Sequence, residues 1–194
     1  MKTDRYIRGT AFILFLMTAL SASGCFVSAK PEVYEDIESY EERLTAAGNQ
    51  KWHKWGMDDS IWPAQITGDM QVEGYRTVYY DPFDAQYLGW LEVVYTPEAY
   101  EKEMERLRAI PSDAYAGIYS VTEEQTCEPA AVRADPYYGF VYALTDGESR
   151  IIYCEQIFCN YFMDLDYTQY IPEEYLLDGF DASADNPYRK ERMQ

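Results

Sequence analysis

Tyr137-Tyr138-Gly139-Phe140-Val141-Tyr142-Ala143-Leu144 and Ser149-Arg150-Ile151-Ile152-Tyr153-Cys154-Glu155-Gln156-Ile157-Phe158 flank the four residues Thr145-Asp146-Gly147-Glu148. Two runs of branched and aromatic residues about an Asp-Gly pair predict a β-hairpin. The second run has few polar positions. A strand made from it is covered on both faces and lies at the centre of its sheet. A central strand needs neighbours on either side and a cover above and below.

The preceding sequence supplies both. Val72–Tyr80 and Tyr87–Tyr95 read as strands joined by the turn Asp81-Pro82-Phe83-Asp84, spaced for an antiparallel pair. Thr96-Pro97-Glu98 opens a helix over 97–109, with a capping threonine, proline at the first helical position and an acid in the first turn. Tyr100, Met104 and Leu107 form its buried stripe, with Ala99 and Ile110 alongside. Pro111 ends it, and Ala114–Val121 reads as a further strand. Nearer the N-terminus, Val33, Ile37, Tyr40 and Leu44 recur at helical spacing before Gly48, which predicts an amphipathic helix over 32–47. The expected fold is α+β: an antiparallel-rich sheet of about five strands, the helix 97–109 packed on one face, and an N-terminal helix.

Two segments fall outside this frame. Thr122–Pro136 holds Cys127, Pro129 and Pro136 and reads as a long connection. Residues 159–187 are acidic and aromatic, with a helical first turn at Pro172-Glu173-Glu174 and a stop at Gly179. This irregular stretch is expected to wrap the sheet. Arg189-Lys190-Glu191-Arg192 reads as a basic, frayed tail over 189–194.

The first 24 residues have a different character. Lys2, Arg5 and Arg8 precede the apolar run Ala11–Met17, and small residues lead into Cys25. Charged head, apolar run and small-residue site form a secretory signal, and the run is too short for the ~20 residues that span a bilayer. Ala22-Ser23-Gly24-Cys25 resembles the lipobox of bacterial lipoproteins, with Ala22 where leucine is usual. The resemblance covers residues 1–25 alone. It implies cleavage before Cys25 and a lipid on that cysteine, holding the protein at the outer, extracytoplasmic face of the cell membrane. Two other readings of the same residues are an ordinary secretory signal cut at the same bond and an uncleaved N-terminal anchor. The domain plan is then a signal peptide over 1–24, a lipidated cysteine and short tether over 25–32, one globular domain over 33–188, and the basic tail.

Without residues 1–24, which hold three bases and the one acid Asp4, the formal charge moves from −18 to −20 on 170 residues. That charge argues against nucleic acid as a partner and against lying flat on an anionic membrane. It favours solubility, a cationic protein or calcium as partner, while the tyrosine content suits a glycan or peptide surface. Tyrosine is the compositional oddity, with 20 residues against 8 phenylalanines. It suits half-buried sheet faces, where the ring packs and the hydroxyl stays wet. Once Cys25 is assigned to the lipid, Cys127, Cys154 and Cys159 remain. An odd number leaves at least one thiol free or bonded between molecules.

Candidate sites are few. His53 is the only histidine, which excludes a multi-histidine zinc site. Flanked by Lys51, Lys54, Trp52 and Trp55, it reads as a surface residue. The tryptophans 52, 55 and 62 read as a lid sealing one edge of the core. No phosphate-binding loop or nucleophile-elbow motif occurs. Asp164-Leu165-Asp166 begins like a calcium loop but lacks the turn glycine (Gln169) and the bidentate glutamate (Tyr175). With Asp178 and Asp181, and beside Asp185 and Asn186, these aspartates are the candidate metal ligands. No cofactor is indicated.

The expected function is that of a bacterial surface lipoprotein, a non-enzymatic binding or envelope-assembly module. A rival reading is a cell-wall or glycan hydrolase using a carboxylate pair. A small-ligand receptor of two lobes is disfavoured by length. Expressed in a bacterium, the wild type should partition with membranes, and Cys25→Ser should escape normal processing. Mass spectrometry of the mature N-terminus showing an unmodified Cys25 would count against the anchor.

Overall fold

The computed structural model describes residues 29–193; the signal segment and Cys25 lie outside the described residues. The central element is an antiparallel sheet of six strands: β1 (Glu32–Tyr34), β2 (Met70–Tyr80), β3 (Gln86–Tyr95), β4 (Glu128–Asp135), β5 (Gly139–Thr145) and β6 (Arg150–Ile157). Their spatial order is β1-β2-β3-β6-β5-β4. The chain therefore makes two three-stranded meanders, β1–β3 and β4–β6, joined along β3 and β6. Leu91 pairs with Tyr153 and Val93 with Ile151 across that seam. β6 is central, as its composition predicts.

The hairpin closes as expected. Asp146 Oδ1 accepts from the N–H groups of Glu148, Ser149 and Arg150, and Gly147 takes a positive φ. At the other end of β5, Gly139 sits at φ +97°, and a Cβ there would lie 2.1 Å from the Gln156 carbonyl oxygen. Only glycine allows the strand to begin so close to β6.

Alternation along β6 sends Ile151, Tyr153 and Ile157 to one face and Ile152, Cys154 and Phe158 to the other. The first face is covered by helix α1 (Pro97–Arg108), through Tyr100, Met104 and Leu107, and by the segment 40–62, through Tyr40, Leu44, Trp52, Met57, Ile61 and Trp62. Thr96 caps α1 by accepting from the Ala99 N–H. The second face is covered by irregular chain: Tyr119 and Val121, then Met163, Ile171, Tyr175, Leu177 and Phe180, and finally Tyr188 of the short helix α2 (Pro187–Arg192). The fold is α+β, with one main helix.

Four expectations are corrected. The single helix over 32–47 is instead β1 followed by 3-10 turns at Ile37–Ser39, Glu41–Arg43 and Thr45–Ala47. Side chains offer the backbone other partners there: Asp36 accepts from the Glu38 N–H, and Asp59 from the Thr45 N–H. Arg43 is buried, donating to the Asp36 carbonyl and the Tyr75 hydroxyl. The strand over 114–121 is a turn with Gly117, Tyr119 and Ser120 all at positive φ. This turn drives the Tyr119 ring between Phe140, Phe158 and Phe180. The sixth strand, β4, lies inside the expected connection 122–136, its alternation masked by a bulge between Pro129 and Ala131. The basic tail is also ordered through Arg192. Asn186 caps α2, and the Arg189 guanidinium lies 3.8 Å from the Phe162 ring centroid.

Leu107 is fully buried, whereas Glu101 on the opposite side of α1 is exposed. Leu107→Ala should destabilise the domain by ~2–5 kcal/mol, and Glu101→Ala by less than about 0.5 kcal/mol. Equal effects in a denaturant titration would mean the helix packs by another face.

Candidate functional site

Two places combine polar chemistry with shape: a buried ion cluster beneath the tryptophan segment and a groove on the opposite face of the sheet.

The ion cluster begins with Glu155, on the face of β6 otherwise occupied by Ile151, Tyr153 and Ile157. Its side chain is 0% exposed, and Lys54 at 2% reaches in from the covering segment to place Nζ 2.7 Å from Oε2. Asp59 Oδ2 stands 3.7 Å from the same nitrogen and accepts from the Thr45 N–H at 2.6 Å. Room for the Glu155 side chain comes from Gly89 on β3, where a Cβ would meet Glu155 Cγ and Oε1 at 3.2 Å. Burial pushes the Glu155 carboxyl up, and the Lys54 ammonium opposes this without cancelling it. Lys54 and Trp55 both adopt left-handed backbone, φ +46° and +53°, a conformation that costs free energy for non-glycine residues and persists only when packing enforces it. Trp55 is held by its indole N–H donating to the Ala85 carbonyl and by stacking on Tyr138. His53 is exposed, and its Nδ1 accepts from the Trp55 N–H; it acts as a turn cap. Trp52 and Trp62 are buried, and with Trp55 they form the expected lid.

The groove lies on the second face. Two clefts of about 310 and 550 Å³ share Glu173, Leu176 and Asp178. Leu144, Ile171, Leu177 and Phe180 give the floor its apolar character, and Cys127 opens onto it. One wall is Gln125–Cys127, the other the turn Glu173–Tyr175 and the residues after it. The walls are stitched together: Thr126 donates its N–H and hydroxyl to Asp178 Oδ2, and the Thr122 N–H donates to the Asp178 carbonyl. Tyr175 is buried, its hydroxyl donating to Glu92 and its carbonyl accepting from the Tyr142 hydroxyl. That anchor leaves Glu173 and Glu174 exposed at the rim. Among the described residues, no ion pair engages Glu123, Glu124, Glu173, Glu174 or Asp178.

The aspartates singled out in the sequence are used separately. Asp164 accepts from the Gln86 amide. Asp166 caps the turn Tyr167–Gln169, and hydrogen bonds from Thr168 and Gln169 hold its carboxyl below the usual range. Asp178 holds the groove wall, and Asp181 accepts from Ser183. Asp185 accepts from the Ser183 hydroxyl, while Asn186 caps α2. Among the described residues, no group of three or more His, Cys, Asp or Glu side chains is arranged to hold a metal ion. Cys127, Cys154 and Cys159 are free. Burial, with Asp84 beside it, pushes the Cys159 thiol up to about 12, so little thiolate is present at neutral pH.

A third cleft, of about 380 Å³, brings the carboxylates of Asp69 and Glu103 to one surface. Glu103 accepts from Arg106 Nε and Nη2 and from the Tyr153 hydroxyl. These three donors fix the Glu103 carboxyl within the wall of the cleft.

Lys54, Glu155, Glu173 and Glu174 were not singled out by sequence reading. The available signal was Glu155 itself, an acid in the middle of the run that predicts the central strand. No family model, curated protein or solved structure matches the chain.

Removing one member of a buried pair leaves the other uncompensated. Lys54→Met should therefore destabilise the domain by ~3–5 kcal/mol, and the double change Lys54→Met with Glu155→Met should recover part of that loss. Chemical denaturation of the three proteins checks this. A double variant no more stable than the single one would show that Glu155 carries no buried charge once Lys54 is gone.

Proposed function

We propose that this chain is a lipid-anchored, non-enzymatic binding domain at the extracytoplasmic face of a bacterial membrane, and that its groove receives a cationic segment of a partner protein. The observation that carries this reading is the groove itself, whose unpaired carboxylates stand over an apolar floor. Such a surface suits a segment presenting lysine or arginine beside aliphatic side chains. The ammonium or guanidinium groups meet Glu173 and Glu174, and the aliphatic groups displace water from the floor. The net charge steers a cationic partner towards the domain from a distance.

The anchor reading supports the location and rests on Cys25 and the residues before it. No helix among the described residues is long and apolar enough to cross a membrane; in this reading the lipid on Cys25 is the attachment. The short tether would keep the groove near the membrane, where partner segments emerging from the bilayer are within reach.

The test uses the full chain in detergent micelles and a helical peptide alternating leucine and lysine, with its leucine-glutamate counterpart as control. The basic peptide should bind and weaken as salt rises. The pair Glu173→Lys and Glu174→Lys should reduce affinity by about tenfold or more, with little change in melting temperature. The pair Glu101→Lys and Glu105→Lys, on the exposed side of α1, makes the same change in net charge away from the groove. If both pairs weaken binding equally, general charge attraction accounts for it and the groove is not the site.

A further inference from the structure

The buried cluster under the tryptophan lid has the composition of a reactive centre rather than a structural ion pair alone. An amine and two carboxyl groups meet where water is excluded: the side chains of Lys54, Glu155 and Asp59 are 2%, 0% and 11% exposed. Glu155 Oε1, Trp62 Nε1 and Thr45 Oγ1 have no hydrogen-bond partner. Glu155 Oε2 has only the lysine. An ion pair left with half its acceptor capacity empty gains little of the solvation it lost.

We propose that Lys54 and Glu155 become joined by an amide bond between Lys54 Nζ and Glu155 Cδ, with Asp59 as the proton acceptor. An ammonium cannot attack and a carboxylate resists attack, so in water the pair stays a salt. In a dry site the charged forms are the costly ones, and a proton passing from Nζ to Oε2 gives a neutral amine beside a neutral acid. Nζ then adds to Cδ and a carbon–nitrogen bond forms. The surplus proton on nitrogen passes to Asp59 Oδ2, 3.7 Å from Nζ in the structure. It moves from there to the Oε2 hydroxyl, which leaves as water as its bond to Cδ breaks. Oε1 remains as the amide oxygen, Asp59 is again a carboxylate, and nothing is oxidised or reduced. The reacting groups are already in contact, which replaces a bimolecular encounter by a unimolecular step.

The two acids are distinguished by their surroundings. Asp59 accepts the Thr45 N–H at 2.6 Å, which fixes its carboxyl beside the amine, with Oδ2 3.7 Å from Nζ, where it can take the proton. Glu155 has no solvent and no backbone donor, and burial pushes its carboxyl up, which suits it to be attacked. The product also accounts for the rest of the site. Two buried charges vanish, the amide N–H faces Asp59, and the single remaining oxygen replaces two. The strained backbone at Lys54 and Trp55 is what aims the lysine inward. The bond would tie residues 101 positions apart, fastening the covering segment to the central strand.

Trypsin reads the bond directly. The full chain is purified, kept folded at neutral pH, then denatured and digested. Cleavage after Lys51, Lys54, Arg76, Arg150 and Arg189 gives the linear peptides Trp55–Arg76 and Ile151–Arg189 if no bond exists. With the bond, Lys54 resists cleavage. A branched peptide then joins Trp52–Arg76 to Ile151–Arg189 at their summed mass less one water. The branched species should dominate in the wild type and be absent from Lys54→Met. Asp59→Asn should lower its rate of formation by about a hundredfold, whereas Glu101→Gln, exposed on α1, should leave the rate unchanged. Full recovery of both linear peptides from the folded wild type, or a water loss mapped between Lys54 and Asp59, would overturn the proposal. The wild-type map decides even where a variant fails to fold.

Discussion

From Ile151 to Ile157 strand β6 is buried on both faces, and everything else in the domain follows from that constraint. A strand covered twice must have two covers, and this chain makes them from different material. One is a helix with a tryptophan-rich segment; the other is irregular chain from residues 159–188. Irregular chain can cover a sheet only if its backbone groups find partners. Here they do so through tyrosine hydroxyls and turn-capping aspartates, as Tyr142 with the Tyr175 carbonyl and Tyr167 with the Phe180 carbonyl show. The unusual tyrosine content is explained at this level. The rings fill the two layers, and the hydroxyls satisfy loops that form no ladder.

Charge is distributed by the same logic. The chain has few bases, and many of them are used internally or at the margins of the core. Arg43 lies against Tyr34 and Tyr75, Lys54 is sunk beside Glu155, and Arg106 clamps Glu103 while donating to the carbonyls of Ser60 and Ile61. Others pair at the surface, as Arg76 with Glu35 and Arg133 with Asp113, and the acids left over, Glu173 and Glu174 among them, face solvent. Their concentration at the groove rim arises from Tyr175. By burying itself, it turns its two acidic neighbours outward.

Much of the sheet is legible in the sequence because its signals are local. β2, β3, β5 and β6 have branched and aromatic runs bounded by turn residues, and α1 has a full set of terminal signals. What is not legible depends on partners far along the chain. The 32–47 segment has helical spacing, but Asp59 and Tyr75 claim its backbone and its arginine. β4 hides behind a proline and a bulge. Ala114–Val121 has strand composition, yet the aromatic pocket formed by Phe140, Phe158 and Phe180 takes Tyr119 out of line. The ion cluster is invisible for the same reason, since its lysine and glutamate are brought together only by the completed sheet. The aspartates after Phe158 looked alike in sequence. The fold separates them into caps, a wall tie and a glutamine partner.

The seam between β3 and β6 has a kinetic consequence. The two meanders can each form from contacts close in sequence, but β3 must wait for more than fifty further residues before β6 exists to pair with it. Until then Tyr87, Leu88, Leu91 and Val93 belong to an open strand edge with both sheet faces bare, the kind of surface that recruits other chains. In a chain made from its N-terminus, that interval is set by the rate of synthesis. Closing the seam is a non-local event of high loop-closure cost, and it is where docking of the two halves would limit the rate of folding. Substitutions along β3 that leave the finished domain intact would therefore show themselves first as lost yield during folding, before any change in equilibrium stability.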